Sequence, residues 1–204
     1  MLILADSDVV RKLAFCELLL ELHQIMVVPP DQMRVLPALR FQVAAKLAAY
    51  PSALAHFQQF LKKVYVAPAA NPEWAEFFSE LDVGEQQLFS VLCQGDAQEI
   101  ITGDKRCLET LSGICTTHDG LKPILDSKKV WCFEAIILRL LNNRGFSIVN
   151  ARMQRWRGLQ NCQIDAVIDR AFPLANGSIG HATSVLQNYL SQLRARAPLV
   201  LLSV

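Results

Sequence analysis

The sequence predicts an α/β protein in which a parallel sheet is flanked by helices and followed by a mainly helical C-terminal extension. Three observations predict it. Short apolar runs at 1–5, 64–68, 99–102 and 129–133 are separated by segments of helical periodicity, the order that builds a parallel sheet covered on both faces. These runs do not alternate with polar residues, as strands buried on both sides require. Acids stand where the runs end: Asp6 and Asp8 after the first, Asp104 after EIIT and Glu134 after KVWCF.

The elements follow in order. MLILA reads as a buried strand, and Asp6 or Asp8 starts a helix with Val9, Leu13, Leu18 and Leu22 on its apolar positions. Pro29-Pro30 breaks the chain, and 31–49 reads as mostly helical with a kink or late start at Pro37. Pro51-Ser52 opens a further helix with Ser52 as its cap, and VYVAP reads as a strand. Asn71-Pro72 is a cap followed by proline at the first helical position, predicting a helix to about Leu81. Asp82 starts the next helix, which ends near Gly95; EIIT is a strand and DKRCLETL a helix. KVWCF is a strand, and EAIILRLLNN a strongly apolar helix that stops at Gly145. Helices are expected at about 148–157, 161–171 and 179–195, before the apolar tail PLVLLSV, which reads as an edge strand, a partner-binding tail or a segment buried on its own chain. The domain reading is therefore 1–145 for the α/β unit and 146–204 for an extension packed on it.

Composition narrows the function classes. Of 204 residues, 52% are hydrophobic and 19% charged, a globular balance. No apolar run reaches the roughly 18 residues of a membrane span, and the start lacks the basic residues of a signal peptide, so a cytoplasmic protein without membrane contact is expected. The six cysteines form no C-x-x-C pair and the four histidines no zinc-ligand spacing. Residues 1–100 carry 7 Lys/Arg against 12 Asp/Glu, whereas 101–204 carry 13 against 7. That asymmetry suits a cation site beside a surface for a polyanion, or two solvated faces.

In an open parallel sheet, functional residues gather beyond the carboxyl ends of the strands. Several carboxylates there repel unless protonated or neutralised by a cation, and hard oxygen donors select Mg²⁺ or Mn²⁺. The succession LILADSD, LDVGEQQLF and EIITGDKRCL resembles the PIN-domain superfamily of nucleases and nuclease-like proteins over residues 1–145: Asp6-Ser7 after the first strand, Gly84-Glu85 opening a middle helix, and Thr102-Gly103-Asp104 at a strand end. The resemblance implies a compact α/β fold, divalent-metal binding and cleavage of RNA, with Asp6, Glu85 and Asp104 as catalytic metal ligands. It also implies an antitoxin-like protein partner as an option, since small PIN toxins have one. The family pattern carries a further acid on an early helix; residues 32–49 contain none, leaving Asp8, Asp82 or Glu134 to stand in for it.

Each candidate has a structural reading beside the functional one. Asp82 and Glu85 have capping-box spacing. Asp6 and Asp104 can cap the helices they precede, with Asp8 as the alternative cap of the first; Asp6 is assigned to the site and Asp8 to the cap or a supporting role. Thr102 serves a ligand carboxylate or the local backbone, and Glu134 the pocket or a helix dipole. Lys105 and Arg106, with Arg152, Arg155, Trp156 and Arg157 of NARMQRWRG, are candidate nucleic-acid contacts through phosphates and base stacking. The competing reading packs Met153 and Trp156 on the core. Besides the nuclease, two other functions fit: a catalytically degenerate PIN-like protein that binds RNA or protein, and a phosphatase resembling the haloacid-dehalogenase superfamily, with Asp6 as nucleophile and Asp8 as acid/base.

Overall fold

The computed structural model describes residues 3–95 and 97–198. Met1 and Leu2 of the first apolar run, and the tail from 199 onward, lie outside the described residues. Among the described residues, five strands form one parallel sheet in the order β3-β2-β1-β4-β5. The central strand β1 (Ile3–Ala5) pairs on one side with β2 (Met33–Val35), which pairs with β3 (Tyr65–Val66). On its other side it pairs with β4 (Glu99–Thr102), which pairs with β5 (Lys129–Cys132). The class and the parallel arrangement are those expected from the alternation of elements.

Helices fill the connections: α1 (Ser7–Phe15), α2 (Leu22–Ile25), α3 (Leu39–Leu47), α4 (Pro51–Leu61), α5 (Pro72–Phe77), α6 (Val83–Cys93), α7 (Lys105–Thr117), α8 (Leu121–Asp126) and α9 (Phe133–Arg144). The C-terminal segment adds α10 (Phe146–Arg157), α11 (Ala166–Ala171) and α12 (Ile179–Arg196). Gly145, at φ +80°, breaks the chain between α9 and α10, a conformation that costs glycine little. Both α10 and α12 pack against α9, and α11 packs against α12.

The sheet interior explains why these runs are strands. All four residues of β4 are buried, including Glu99, whose Oε2 accepts a hydrogen bond from Trp131 Nε1 at 2.7 Å on the neighbouring strand. That partner offsets the cost of placing a carboxylate among apolar side chains. All six cysteines are free thiols, five of them buried.

Five local expectations change. The first helix ends at Phe15, so Leu18 and Leu22 lie beyond it. Residues 31–49 are not one helix: a 3₁₀ turn at 30–32 leads into β2, and α3 begins only at Leu39. A three-residue strand is too short to show a period, and its register (Ile3 opposite Met33, Ala5 opposite Val35) comes from β1. The α4 helix starts at Pro51, and Ser52 does not cap it but donates its hydroxyl proton to Glu17. The helix opened by Asn71 ends at Phe77 rather than Leu81, and the segment expected to be helical over 161–171 becomes regular only at Ala166, capped by Asp165. No helix among the described residues is long and apolar enough to cross a membrane.

Candidate functional site

Chain connections leave β1 toward β2 on one side, while β4, on its other side, leads away to β5. A sheet whose connections diverge in this way opens a crevice beyond the carboxyl ends of the two adjacent strands. Asp6 extends the pairing by one residue, its amide donating to Ile101 O at 2.8 Å, so the chain leaves β1 beside Thr102-Gly103-Asp104. A cleft of about 870 Å³ occupies this place, and Asp6, Asp8, Asp82, Glu85 and Asp104 line it together with Lys12, Gln42, Lys46, Lys105 and Arg106.

Each acid is held by a local device. Asp6 is the N-cap of α1: Oδ1 accepts from Ser7 N at 2.5 Å and Ser7 Oγ at 3.3 Å. The cap is thus Asp6, and Asp8 does not take that part. Asp8 instead bonds Arg11 at 2.6 Å and Lys12 at 2.7 Å, one turn along the same helix. Its carboxylate lies so close to Gly103 that a Cβ there would meet Asp8 Oδ2 at 2.2 Å, which gives a steric reason for glycine between Thr102 and Asp104. Asp104 caps α7 through Oδ1, accepting from Arg106 N at 2.8 Å and Cys107 N at 3.2 Å. Thr102 is buried, and its Oγ1 accepts from Asp104 N at 3.3 Å, a backbone role. Asp82 and Glu85 form both bonds of a capping box on α6, at 2.9 and 3.1 Å.

The electrostatics show that these carboxylates share one field. Burial, reinforced by Asp8, pushes the Asp6 carboxyl above its ordinary range despite the bonds from Ser7 and the Gly103 amide. Burial also raises Glu85, with Asp82 and Asp104 adding repulsion while the Asp82 amide and the Cys107 thiol oppose it. Cys107 is held well above the usual thiol range by burial and by Glu85, Asp104 and Asp6. Asp6 and Glu85 are thus the two acids of the cleft whose charge the fold disfavours, through burial and neighbouring carboxylates.

Carboxylate oxygens are donors of the kind that Mg²⁺ and Mn²⁺ prefer. The geometry is less complete, because no group of three His, Cys, Asp or Glu side chains among the described residues is gathered closely enough to hold an ion. Asp6, Glu85 and Asp104 share the cleft without forming a closed ligand cage.

Other sequence candidates fall elsewhere. Glu134 is fully buried under Lys105 and does not line the cleft; Lys105 Nζ is 2.8 Å from its Oε1, although neither carboxylate oxygen has a well-directed hydrogen bond. Lys105 is therefore engaged by internal acids rather than free for phosphate. Trp156 is 1% exposed, stacked on Phe15 with ring centroids 6.2 Å apart and edge-on to Phe133 at 6.0 Å. A base cannot stack on it, and the core reading of Met153 and Trp156 holds because both are buried. Arg152 and Arg155 converge on Glu17 at 2.7 and 2.6 Å, and Arg157 pairs with Asp169 at 2.6 Å. Arg155 lines a separate cavity of about 440 Å³. Arg106 alone of the six basic and aromatic candidates is both on the cleft and exposed.

Sequence reasoning missed Lys12, Gln42, Lys46 and Asp165. The first three reach the cleft from helices whose sequence shows only an ordinary polar face, and Asp165 meets Lys12 and Lys105 across 153 and 60 residues of chain. No local signal marks any of them. No protein-family model, curated protein or solved structure matches the chain.

Proposed function

We propose that the cleft is the site of a PIN-like, divalent-metal-dependent nuclease that hydrolyses RNA phosphodiester bonds. One observation carries the reading: acids from three separate segments, Asp6, Glu85 and Asp104, open into a single cleft at the diverging point of a parallel sheet. In this role Asp6, Glu85 and Asp104 would hold Mg²⁺ or Mn²⁺, and such an ion would supply Lewis-acid activation of water and neutralisation of phosphoryl charge. Arg106 and Lys46, exposed on the cleft and in no ion pair among the described residues, attract the phosphate backbone. The raised Asp6 and Glu85 supply the electrostatic incentive for the ion.

A second reading, a degenerate PIN-like protein that binds RNA without cleaving it, is favoured by one feature. Where the family pattern has a further acid on an early helix, α3 offers Gln42 and Lys46 to the cleft. The phosphatase alternative is weaker, because Asp8, its acid/base, is engaged by Arg11 and Lys12. Calorimetric titration of the metal-free protein with Mn²⁺ tests the main reading. Saturable binding that disappears in Asp6→Asn and in Asp104→Asn, both still folded, is expected. Absence of binding by the unaltered protein would reject the metal site and leave the binding protein.

A further inference from the structure

From the wall of the cleft inward, five charged side chains alternate in sign: Asp8, Lys12 and Lys105 on the wall, with Asp165 and Glu134 outside it, in the order Asp8, Lys12, Asp165, Lys105 and Glu134. Lys12 Nζ is 2.7 Å from Asp8 Oδ2 and 3.3 Å from Asp165 Oδ2. Lys105 Nζ is 3.0 Å from that same Asp165 oxygen and 2.8 Å from Glu134 Oε1. Asp165 belongs to the C-terminal segment, and its two oxygens do different things. Oδ1 accepts from Val167 N at 3.0 Å and caps α11, while Oδ2 receives both ammonium groups.

The two lysines sit on the helices that carry the site. Lys12 is on α1, whose cap is Asp6, and Lys105 is the first residue of α7, whose cap is Asp104. We infer that Asp165 is a positioning residue of the cleft: its Oδ2 ties α1, through Lys12 in its last turn, to the first residue of α7, and by holding these two helices together it sets the separation of Asp6 and Asp104. This rests on the reading of those acids as a metal site.

The physical argument has three parts. Lys12 is anchored on its own side by Asp8 and Lys105 on its side by Glu134, so Asp165 is the acid in this chain of charges that touches both lysines. Lys12, Lys105 and Asp165 side chains are only 12–20% exposed, and charge-assisted bonds shielded from water hold geometry better than surface pairs do. Without the carboxylate, two converging ammonium groups would repel. Asp165 is suited to the part: burial opposes its charge, but Lys105 and Lys12 outweigh that and hold it below the usual carboxylate range.

Asp165→Asn separates the cap from the tie, since asparagine caps helices as well as aspartate does but presents no second anionic oxygen to the lysines. Hydrogen exchange of the metal-free variant is expected to speed about 3- to 10-fold in peptides covering 6–15 and 103–117 while 166–171 stays protected. Its Mn²⁺ affinity should fall about tenfold at unchanged stoichiometry. Lys12→Gln, which leaves Asp165 capping α11 and paired with Lys105, should loosen 6–15 alone and serves if Asp165→Asn does not fold. Exchange that changes only within 158–171, or not at all, would overturn the inference, as would Mn²⁺ binding equal to that of the unaltered protein. Failure of the unaltered protein to bind Mn²⁺ would instead refute the metal site, and hydrogen exchange would then decide the tie by itself.

Discussion

Lys105→Met removes the one ammonium that, among the described residues, pairs with a carboxylate that has no exposure at all. Glu134 is 0% exposed, and its ion-pair partner among the described residues is Lys105 at 2.8 Å, with neither oxygen in a well-directed hydrogen bond. Burial opposes the charge on Lys105, but Glu134 and Asp165 outweigh it and hold the ammonium above its ordinary range. Methionine keeps the length and apolar stem of lysine and leaves Glu134 unpaired in the interior. Breaking a buried pair by removing one partner costs about 3–5 kcal/mol. For a chain of this size that is a fall in Tm of roughly 6–20 °C, at about 2–4 °C per kcal/mol. Urea denaturation followed by circular dichroism gives the free energy directly. The double variant Lys105→Met/Glu134→Leu removes the orphaned charge as well and should recover about 2 kcal/mol or more, because apolar replacement of a buried pair is often nearly neutral. A single variant within about 0.5 kcal/mol of the unaltered protein, the usual range for surface changes, would refute the claim that Glu134 depends on Lys105. So would a double variant less stable than the single one.

Three further outcomes follow from the same geometry. Asp6→Asn keeps the α1 cap and removes a carboxylate whose folded-state pKa lies above its unfolded value. Such a group opposes folding increasingly as pH rises through those values, so the variant should stabilise the metal-free protein by about 1 kcal/mol at pH 7.5 and by less at pH 4.5; destabilisation at pH 7.5 in urea melts would contradict the electrostatic account. Gly103→Ala places a methyl 2.2 Å from Asp8 Oδ2, and overpacking of this kind costs about 1–3 kcal/mol; a thermal melt unchanged from that of the unaltered protein would show that Asp8 moves aside freely. Trp156→Ala empties a buried site between Phe15 and Phe133 and should cost about 3–5 kcal/mol, whereas RNA affinity of the still-folded fraction, measured by fluorescence anisotropy, should not change.

The cleft shows how local chemistry and tertiary contact divide the work. Asp82-x-x-Glu85 was readable as a capping box because both bonds are made within four residues, and both are present. The choice between Asp6 and Asp8 as cap was not readable, because either residue has a suitable side chain. It falls to Asp6 because the β1–β4 pairing continues through its amide and fixes its extended backbone at φ −76°, ψ 154°, leaving Asp8 inside the helix to meet Arg11 and Lys12. The burial of Trp156 was foreshadowed by its spacing from Met153, but its aromatic neighbours Phe15 and Phe133 come from other elements.

By itself the sequence determined the class of the protein, the parallel sheet, most helix starts and the helical nature of the C-terminal segment. These depend on apolar period, caps and breakers, which act over a few residues. Only the tertiary structure decided that Met33–Val35 is a strand, that Lys46 and Gln42 face the cleft, and that Asp165 meets two lysines 153 and 60 residues away. A three-residue strand has no period of its own, and a charge shows in the sequence only as a solvated polar residue until the fold brings its partner within about 3 Å.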